Sequence, residues 1–320
     1  MPVNTITITD AATGASATIA SKLGFNCFSF RPNVQGRTWE ALWSDPLFTE
    51  GTQRPSRSGI PLLFPFPGRL RGNHLVYQGR TYTFDTFDPH GNAIHGFVYT
   101  RPWRVVAQSS SFATGEFQAS VDDPSILSTP RWPCDFRIRA TYRIADNTLH
   151  GEYEVTNMGT GTLPWGFGTH PYFRVPIGDE AKADDCIVRM PLTKRWELVD
   201  SLPTGRLLDE PDQARYAEGI SFAESQFDDI FAGLQLDGGM WTGSVSDPHT
   251  KLRTTIRFGA PFRECVVFTP PHREAICLEP YSCVANAYEL RDRGLDTGLQ
   301  ELPAGASTRL SMQISGEALA

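Results

Sequence analysis

The chain has 320 residues, 40% of them apolar and 20% charged, which is enough hydrophobic material for a sizeable core and excludes disorder over most of its length. Its 29 Lys and Arg against 36 Asp and Glu leave a net charge of −7 without long runs of one sign, so it lacks the electrostatic footprint of a nucleic-acid or anionic-membrane binder. No stretch approaches the roughly 18 apolar residues that span a bilayer, and residues 1–7 carry no basic region followed by an apolar run, so the expected location is the cytoplasm.

Taken in chain order, the first element is Thr5-Ile6-Thr7-Ile8-Thr9, whose period of two is that of a half-buried strand. An apolar, proline-rich run over 59–73 follows and delivers two arginines, Arg69 and Arg71. Residues 75–77 and 81–84 flank Gln78-Gly79-Arg80 and read as a hairpin, since Gly supplies the positive φ of a short turn. Strand grammar resumes at 137–144 and 149–155, then at 252–258, 265–269, 275–278 and 308–314. The best helical windows, 211–218 and 221–226, are about two turns each. With 28 glycines and 24 prolines punctuating the rest, turns should be many and long helices few. Strands at short spacing without intervening helices predict an all-β fold, an antiparallel sandwich or barrel, and no G-x-G-x-x-G or Walker-type loop supports a nucleotide site. The loop-like stretch 178–185 has the same strand grammar on both sides, so one domain over 1–320 is expected. Six cysteines without a C-x-x-C read as reduced, buried thiols.

Five segments set polar or charged residues inside apolar surroundings, where an unpartnered charge costs several kcal/mol and is therefore paired or used. The first carries Arg69, for which a buried pair with a core carboxylate is as good an explanation as a ligand. The second and third are His90-Gly91-Asn92-Ala93-Ile94-His95-Gly96 and Trp165-Gly166-Phe167-Gly168-Thr169-His170-Pro171-Tyr172-Phe173, each enclosing an imidazole. A neutral histidine bonded to backbone is the plainer account of either. His90 and His95 lack an H-E-x-x-H or clustered Cys/His context, so no metal site is expected. The fourth is Phe227-Asp228-Asp229-Ile230-Phe231, and the fifth Ile276-Cys277-Leu278-Glu279-Pro280-Tyr281. Glu279 closes an apolar strand, a setting in which desolvation raises a carboxyl pKa toward that of a useful base; a rim glutamate paired with an arginine is the alternative.

In this order and spacing, the Arg69 segment, Asn92-Ala93-Ile94-His95-Gly96, Gly168-Thr169-His170-Pro171-Tyr172-Phe173, Asp228-Asp229-Ile230-Phe231 and Cys277-Leu278-Glu279-Pro280 resemble the aldose 1-epimerase (mutarotase) family. The resemblance implies a large antiparallel β-sandwich with few short helices, holding a sugar in an open cleft without metal or organic cofactor, as a monomer or homodimer. Carried over by position, it implies an isomerase in which Glu279 is the general base and His170 the general acid. Arg69, His95 and Asp228 would fix the sugar. Asp229, Arg71, Trp165 and Tyr172 are further candidates for the substrate shell, the aromatics as platforms for the sugar's C–H face and otherwise as core. Asp228 and Asp229, as strand neighbours, should face opposite sides, and the motif favours Asp228 for the cleft. Galactose-type members usually carry Asn where this chain has Gly68 and Thr169, and His where it has Asp229. These departures leave the proton-transfer pair intact and argue against galactose or glucose as the physiological substrate. A hexose-phosphate mutarotase, with Arg71 or Arg174 on the phosphate, and a non-catalytic sugar-binding module remain as alternatives. A glycoside hydrolase using Asp228 and Glu279 would leave the histidines unexplained.

Overall fold

The computed structural model describes residues 4–85, 87–128, 130–178 and 181–319. Alternation builds its strands. In Phe136–Ala145 the residues Phe136, Ile138, Ala140, Tyr142 and Ile144 are buried while Arg139 and Arg143 are exposed. That strand pairs antiparallel with Thr148–Asn157 through a two-residue turn in which Asp146 and Asn147 both take positive φ, 51° and 59°. The same geometry at Gln78-Gly79 joins His74–Tyr77 to Arg80–Thr83, and at Asp200-Ser201 joins Leu192–Val199 to Leu202–Asp209. Such turns match the right-handed twist of paired strands.

Two large antiparallel sheets dominate. The nine-stranded sheet runs, in spatial order, Arg104–Gln108, Phe112–Gln118, Phe136–Ala145, Thr148–Asn157, Ser307–Ala318, Leu252–Gly259, Met240–Asp247, Ile187–Arg189 and Ile220–Ser221. The eight-stranded sheet runs Leu202–Asp209, Leu192–Val199, Asp228–Leu234, Glu264–Phe268, Ala275–Tyr281, Gly168–Thr169 and Leu62–Leu63, with Tyr172–Arg174 also paired to Ala275–Tyr281. Their inner faces meet in one apolar cluster that extends from Ile8 to Ile314. Leu278 of the second sheet packs over Gly243 of the first, where an added Cβ would come within 3.1 Å of the leucine Cδ1. The fold is thus an all-β sandwich with four short α-helices among the described residues.

Helical expectations need correction. The 211–218 window shortens to Gln213–Glu218, and 221–226 holds only a 3-10 turn, Phe222–Glu224, capped by Ser221 Oγ, which accepts the Ala223 N–H at 3.1 Å. Helices at Ala119–Asp122, Ser125–Ser128 and Ala287–Asp292 were not expected, and of the loop at 178–185 Asp179 and Glu180 lie outside the described residues. Glu279 does not close its strand: Ala275–Tyr281 continues two residues past it, every position buried.

One close approach fixes the backbone next to His95. The backbone of Gly96 (φ 69°) passes so near Phe64 that a Cβ there would lie 2.1 Å from the Phe64 carbonyl oxygen, and the next N–H, of Phe97, donates to that oxygen at 2.8 Å. Only glycine fits. Gly96→Ala is expected to cost about 3 kcal/mol or more, from the left-handed backbone and the forced displacement together; the midpoint of urea denaturation, compared with wild type, measures it.

Candidate functional site

Strand parity decides which side chains meet. On Ala275–Tyr281, Leu278 points to the inter-sheet core, while Glu279 and Tyr281 point the other way and line a cleft of about 580 Å³. That volume lies within the roughly 300–1,000 Å³ of small-molecule sites. Antiparallel register carries the same parity across the sheet. Asp228 sits opposite Phe268, Phe268 opposite Cys277 and Cys277 opposite Tyr172, forming one row; Ile230, Val266 and Glu279 form the next.

Glu279 and His170 are buried side by side at the centre, with Oε1 and Nε2 3.2 Å apart. The approach lies off hydrogen-bond alignment, so Oε1 has no hydrogen-bond partner. The other oxygen, Oε2, accepts the Tyr281 hydroxyl at 2.9 Å. Burial pushes the Glu279 carboxyl well above the usual carboxylate range; the Tyr281 hydrogen bond opposes this, and the Asp228 charge adds to it. Burial also lowers His170, to about 3. Its ring stacks on Tyr172 at 4.7 Å between centroids, and its backbone N–H donates to the Pro61 carbonyl at 3.0 Å. His95, edge-on to His170 at 5.7 Å, is pushed well below its ordinary pKa by burial and then by the positive charge of His170, Arg69 and Arg54. His95 itself has φ 65°, the left-handed region that only a well-braced residue keeps. Nδ1 of both His95 and His170 is buried without a hydrogen-bond partner.

Arg69 makes the expected pair with a core carboxylate and also borders the cleft. Its Nε donates to Asp88 Oδ2 at 2.9 Å, a carboxylate whose side chain is only 1% exposed, and its Nη2 lies 3.8 Å from Asp228 Oδ2 on the cleft surface. Burial alone would raise Asp88; the Asn92 and His90 N–H donors and the Arg69 charge outweigh it and leave that pKa lowered. The arginine's own backbone is fixed by the Asn286 N–H, which donates to the Arg69 carbonyl at 2.7 Å, and by pairing with Ile94. Arg69, His95, His170, Asp228 and Glu279 therefore line one cleft. Asp229 takes the opposite face, where it lies 3.4 Å from Arg195 and burial raises its carboxyl.

The remaining candidates separate. Tyr172 lines the cleft. Trp165 is a core residue, 2% exposed within the main apolar cluster, and Phe97 belongs to the same cluster. Arg71 lies outside the cleft lining and pairs with Glu289 at 2.8 Å. Arg174 is exposed and also outside it. The departures from the galactose-type motif divide the same way. Thr169 faces the inter-sheet core, its hydroxyl 3.3 Å from Met312 Sδ, and Asp229 faces away, so of the three only Gly68 borders the cleft. There φ is 66° and a Cβ would meet that of Ala285 at 2.8 Å, which rules out a side chain.

Sequence reasoning missed Tyr281, Asp88 and an aromatic wall made by Trp43, whose ring stacks on His272 at 4.1 Å. Tyr281 was within reach, because it stands two residues beyond Glu279 on a strand and so shares its face. Trp43 and His272 had no signal, being 229 positions apart in sequence by their numbers. Ligand atoms of His170, Cys277 and Glu279 lie within 4.8 Å of one another. Burial and the Glu279 charge push the Cys277 thiol far up, so it offers a protonated sulfur, a poor metal ligand. Among the described residues no helix is long and apolar enough to cross a membrane.

The sequence matches the aldose 1-epimerase family model over residues 4–315. It is 25% identical over 181 residues to the plasmid-encoded protein LacX of Lactococcus lactis, a match covering 56% of this chain and 56% of that protein. The chain thus spans little more than half the length of that curated relative. Among solved structures, a galactose mutarotase-like protein from Clostridium acetobutylicum superposes with a TM-score of 0.85 at 19% identity, covering 99% of both chains. A GalM/aldose epimerase homologue from C. elegans gives 0.81 at 16% identity, covering 99% of this chain and all of the other. With a family match that runs nearly end to end and a fold shared with these structures, the chain belongs to the aldose 1-epimerase family.

Proposed function

We propose that the protein is an aldose 1-epimerase that interconverts the α and β anomers of an aldose, with Glu279 as base and His170 as acid. The observation that carries this reading is the buried carboxyl and imidazole 3.2 Å apart in the cleft. Burial raises the carboxyl pKa and lowers that of the imidazole, so a single proton on the pair is favoured on Glu279 at rest. The reacting form, carboxylate with imidazolium, follows transfer of that proton to His170 Nε2 across the 3.2 Å between them. As carboxylate, Glu279 takes the proton of the anomeric hydroxyl while His170, as imidazolium, protonates the ring oxygen. The C1–O5 bond breaks and the C1 oxygen becomes an aldehyde. Rotation about C1–C2 presents the other face, and closure reverses both proton transfers, returning each group to its starting state. Arg69, Asp228 and His95 hold hydroxyls away from C1 and so fix the ring between acid and base. Tyr172, Phe268 and Trp43 offer apolar faces to its C–H groups.

Polarimetry or proton NMR of freshly dissolved α-glucose and α-galactose tests the reading. Wild-type protein should speed the approach to anomeric equilibrium and Glu279→Gln should not; no acceleration of any aldose by wild type would overturn it.

Tyr281 should tune the base. Its hydroxyl donates to Oε2 and lowers the Glu279 pKa, so Tyr281→Phe raises that pKa further and leaves less carboxylate at a given pH. Hydrogen bonds to charged groups contribute about 1.5–3 kcal/mol, so kcat is expected to fall roughly tenfold or more at pH 7. Because the carboxylate–imidazolium and carboxyl–imidazole forms carry the same single proton, the loss should persist at constant size across the plateau of the pH profile of kcat.

A further inference from the structure

Two arginines of the cleft have no part in the chemistry above. Arg54 and Arg57 bracket the 3-10 turn Pro55–Arg57, Arg54 as its N-cap residue, and both line the cleft. Arg69 has its charge met by Asp88 and Asp228, whereas among the described residues neither Arg54 nor Arg57 has a carboxylate within 4.0 Å. Arg54 Nη2 is engaged only by the Tyr99 hydroxyl, at 3.3 Å. The turn that presents them is fastened. Asn26 Nδ2 donates to the carbonyls of Pro55 at 3.2 Å and Ser58 at 2.8 Å, and the Tyr172 hydroxyl donates to the Ser56 carbonyl at 3.0 Å. Tyr172 is also the ring stacked on His170, so the turn lies one side chain away from the reacting pair. A chain of net charge −7 thus holds two unmatched guanidiniums on a braced wall beside its acid and base.

We propose that Arg54 and Arg57 form an anion subsite and that the preferred substrate is an aldose bearing a carboxylate or a phosphate ester on a carbon other than C1. The anomeric hydroxyl must stay free for ring opening, which places the anion elsewhere on the sugar. Guanidinium forks match the oxygens of either group, and such bonds are stronger than neutral ones. The inference rests on the aldose 1-epimerase reading. It also replaces Arg71 and Arg174, which lie outside the cleft lining, as the source of the cationic contact.

The test compares kcat/KM for glucose, glucuronate and glucose 6-phosphate in wild type, in Arg57→Gln, in the Arg54→Gln/Arg57→Gln double variant and in Arg174→Gln. Wild type should favour at least one anionic sugar over glucose by about tenfold or more, one charge-assisted contact's worth. That preference should shrink in Arg57→Gln, fall close to one in the double variant, persist in Arg174→Gln, and weaken as salt screens the exposed Arg57 and the half-buried Arg54. Glucuronate ahead identifies a carboxylate, and glucose 6-phosphate ahead a phosphate ester. Glucose turned over as well as both anions would overturn the subsite and leave the aldose 1-epimerase reading standing. A preference that survives in the double variant would overturn the assignment to these arginines. Failure with all three sugars would overturn the parent reading, and this one with it.

Discussion

Glu279→Gln is expected to lower kcat for anomer exchange by roughly 10²–10⁴-fold, the usual span for a lost general base. Glutamine keeps the shape and can still accept the Tyr281 hydroxyl, so the cleft should keep its form and its affinity for sugar. The discriminating readout is therefore kcat with KM nearly unchanged, from proton NMR of anomer exchange. Stability should move the other way. The folded-state pKa of Glu279 is raised above its unfolded value, so its contribution to stability is fully present at low pH and is lost as pH rises from the usual carboxylate range through the raised value. Glutamine has no such loss. The variant's urea midpoint should equal or exceed that of wild type at pH 8, which distinguishes a disabled base from a damaged fold.

His170→Gln should cost roughly a hundredfold or more in kcat, because nothing else in the pair can protonate the ring oxygen. The pH profile of wild type gives this prediction its sharper form. If Glu279 and His170 hold one proton between them, adding a second is what stops the cycle on the acid side. Burial has lowered His170 to about 3, so the acid limb of kcat should lie well below the 6.5 of an ordinary imidazole. A limb centred near 6.5 would mean that the acid is a solvated histidine and would remove His170 from the role.

Much of this architecture was legible because water enforces it. The Phe136–Ala145 strand could be read from its alternation since each odd-even switch is a switch between core and solvent. Short helices were not legible. Ala119–Asp122 and Ser125–Ser128 are one turn each, too brief to show a 3.6-residue period, and 221–226 had helical residues but only room for a 3-10 turn before the Asp228–Leu234 strand begins. Within the site, the segments that placed charge among apolar neighbours led to the cleft. The aromatic neighbours did not sort themselves: Trp165 and Tyr172 look alike in sequence, yet one fills the core and the other the cleft wall. Arg54 and Arg57 sit in a polar stretch with no apolar contrast, so nothing local distinguished them from solvated charges; only the folding of that turn against Tyr172 does.

The alternation along Ala275–Tyr281 also limits how such a molecule can change. Glu279 and Tyr281 occupy one parity of a single buried strand, and Leu278 the other. A slip of one residue against Glu264–Phe268 would turn the carboxylate into the sandwich and a leucine into the cleft. Insertions and deletions in the loop before Ala275 are therefore tolerated only if they leave this pairing alone, while the side chains of Arg54 and Arg57, on a turn outside both sheets, can be exchanged without touching it, provided the turn keeps its ties to Asn26 and Tyr172. On the proposed roles, reaction and preference are inherited separately: the first is bound to a register that admits no single-residue drift, and the second to two side chains that can be replaced without disturbing it.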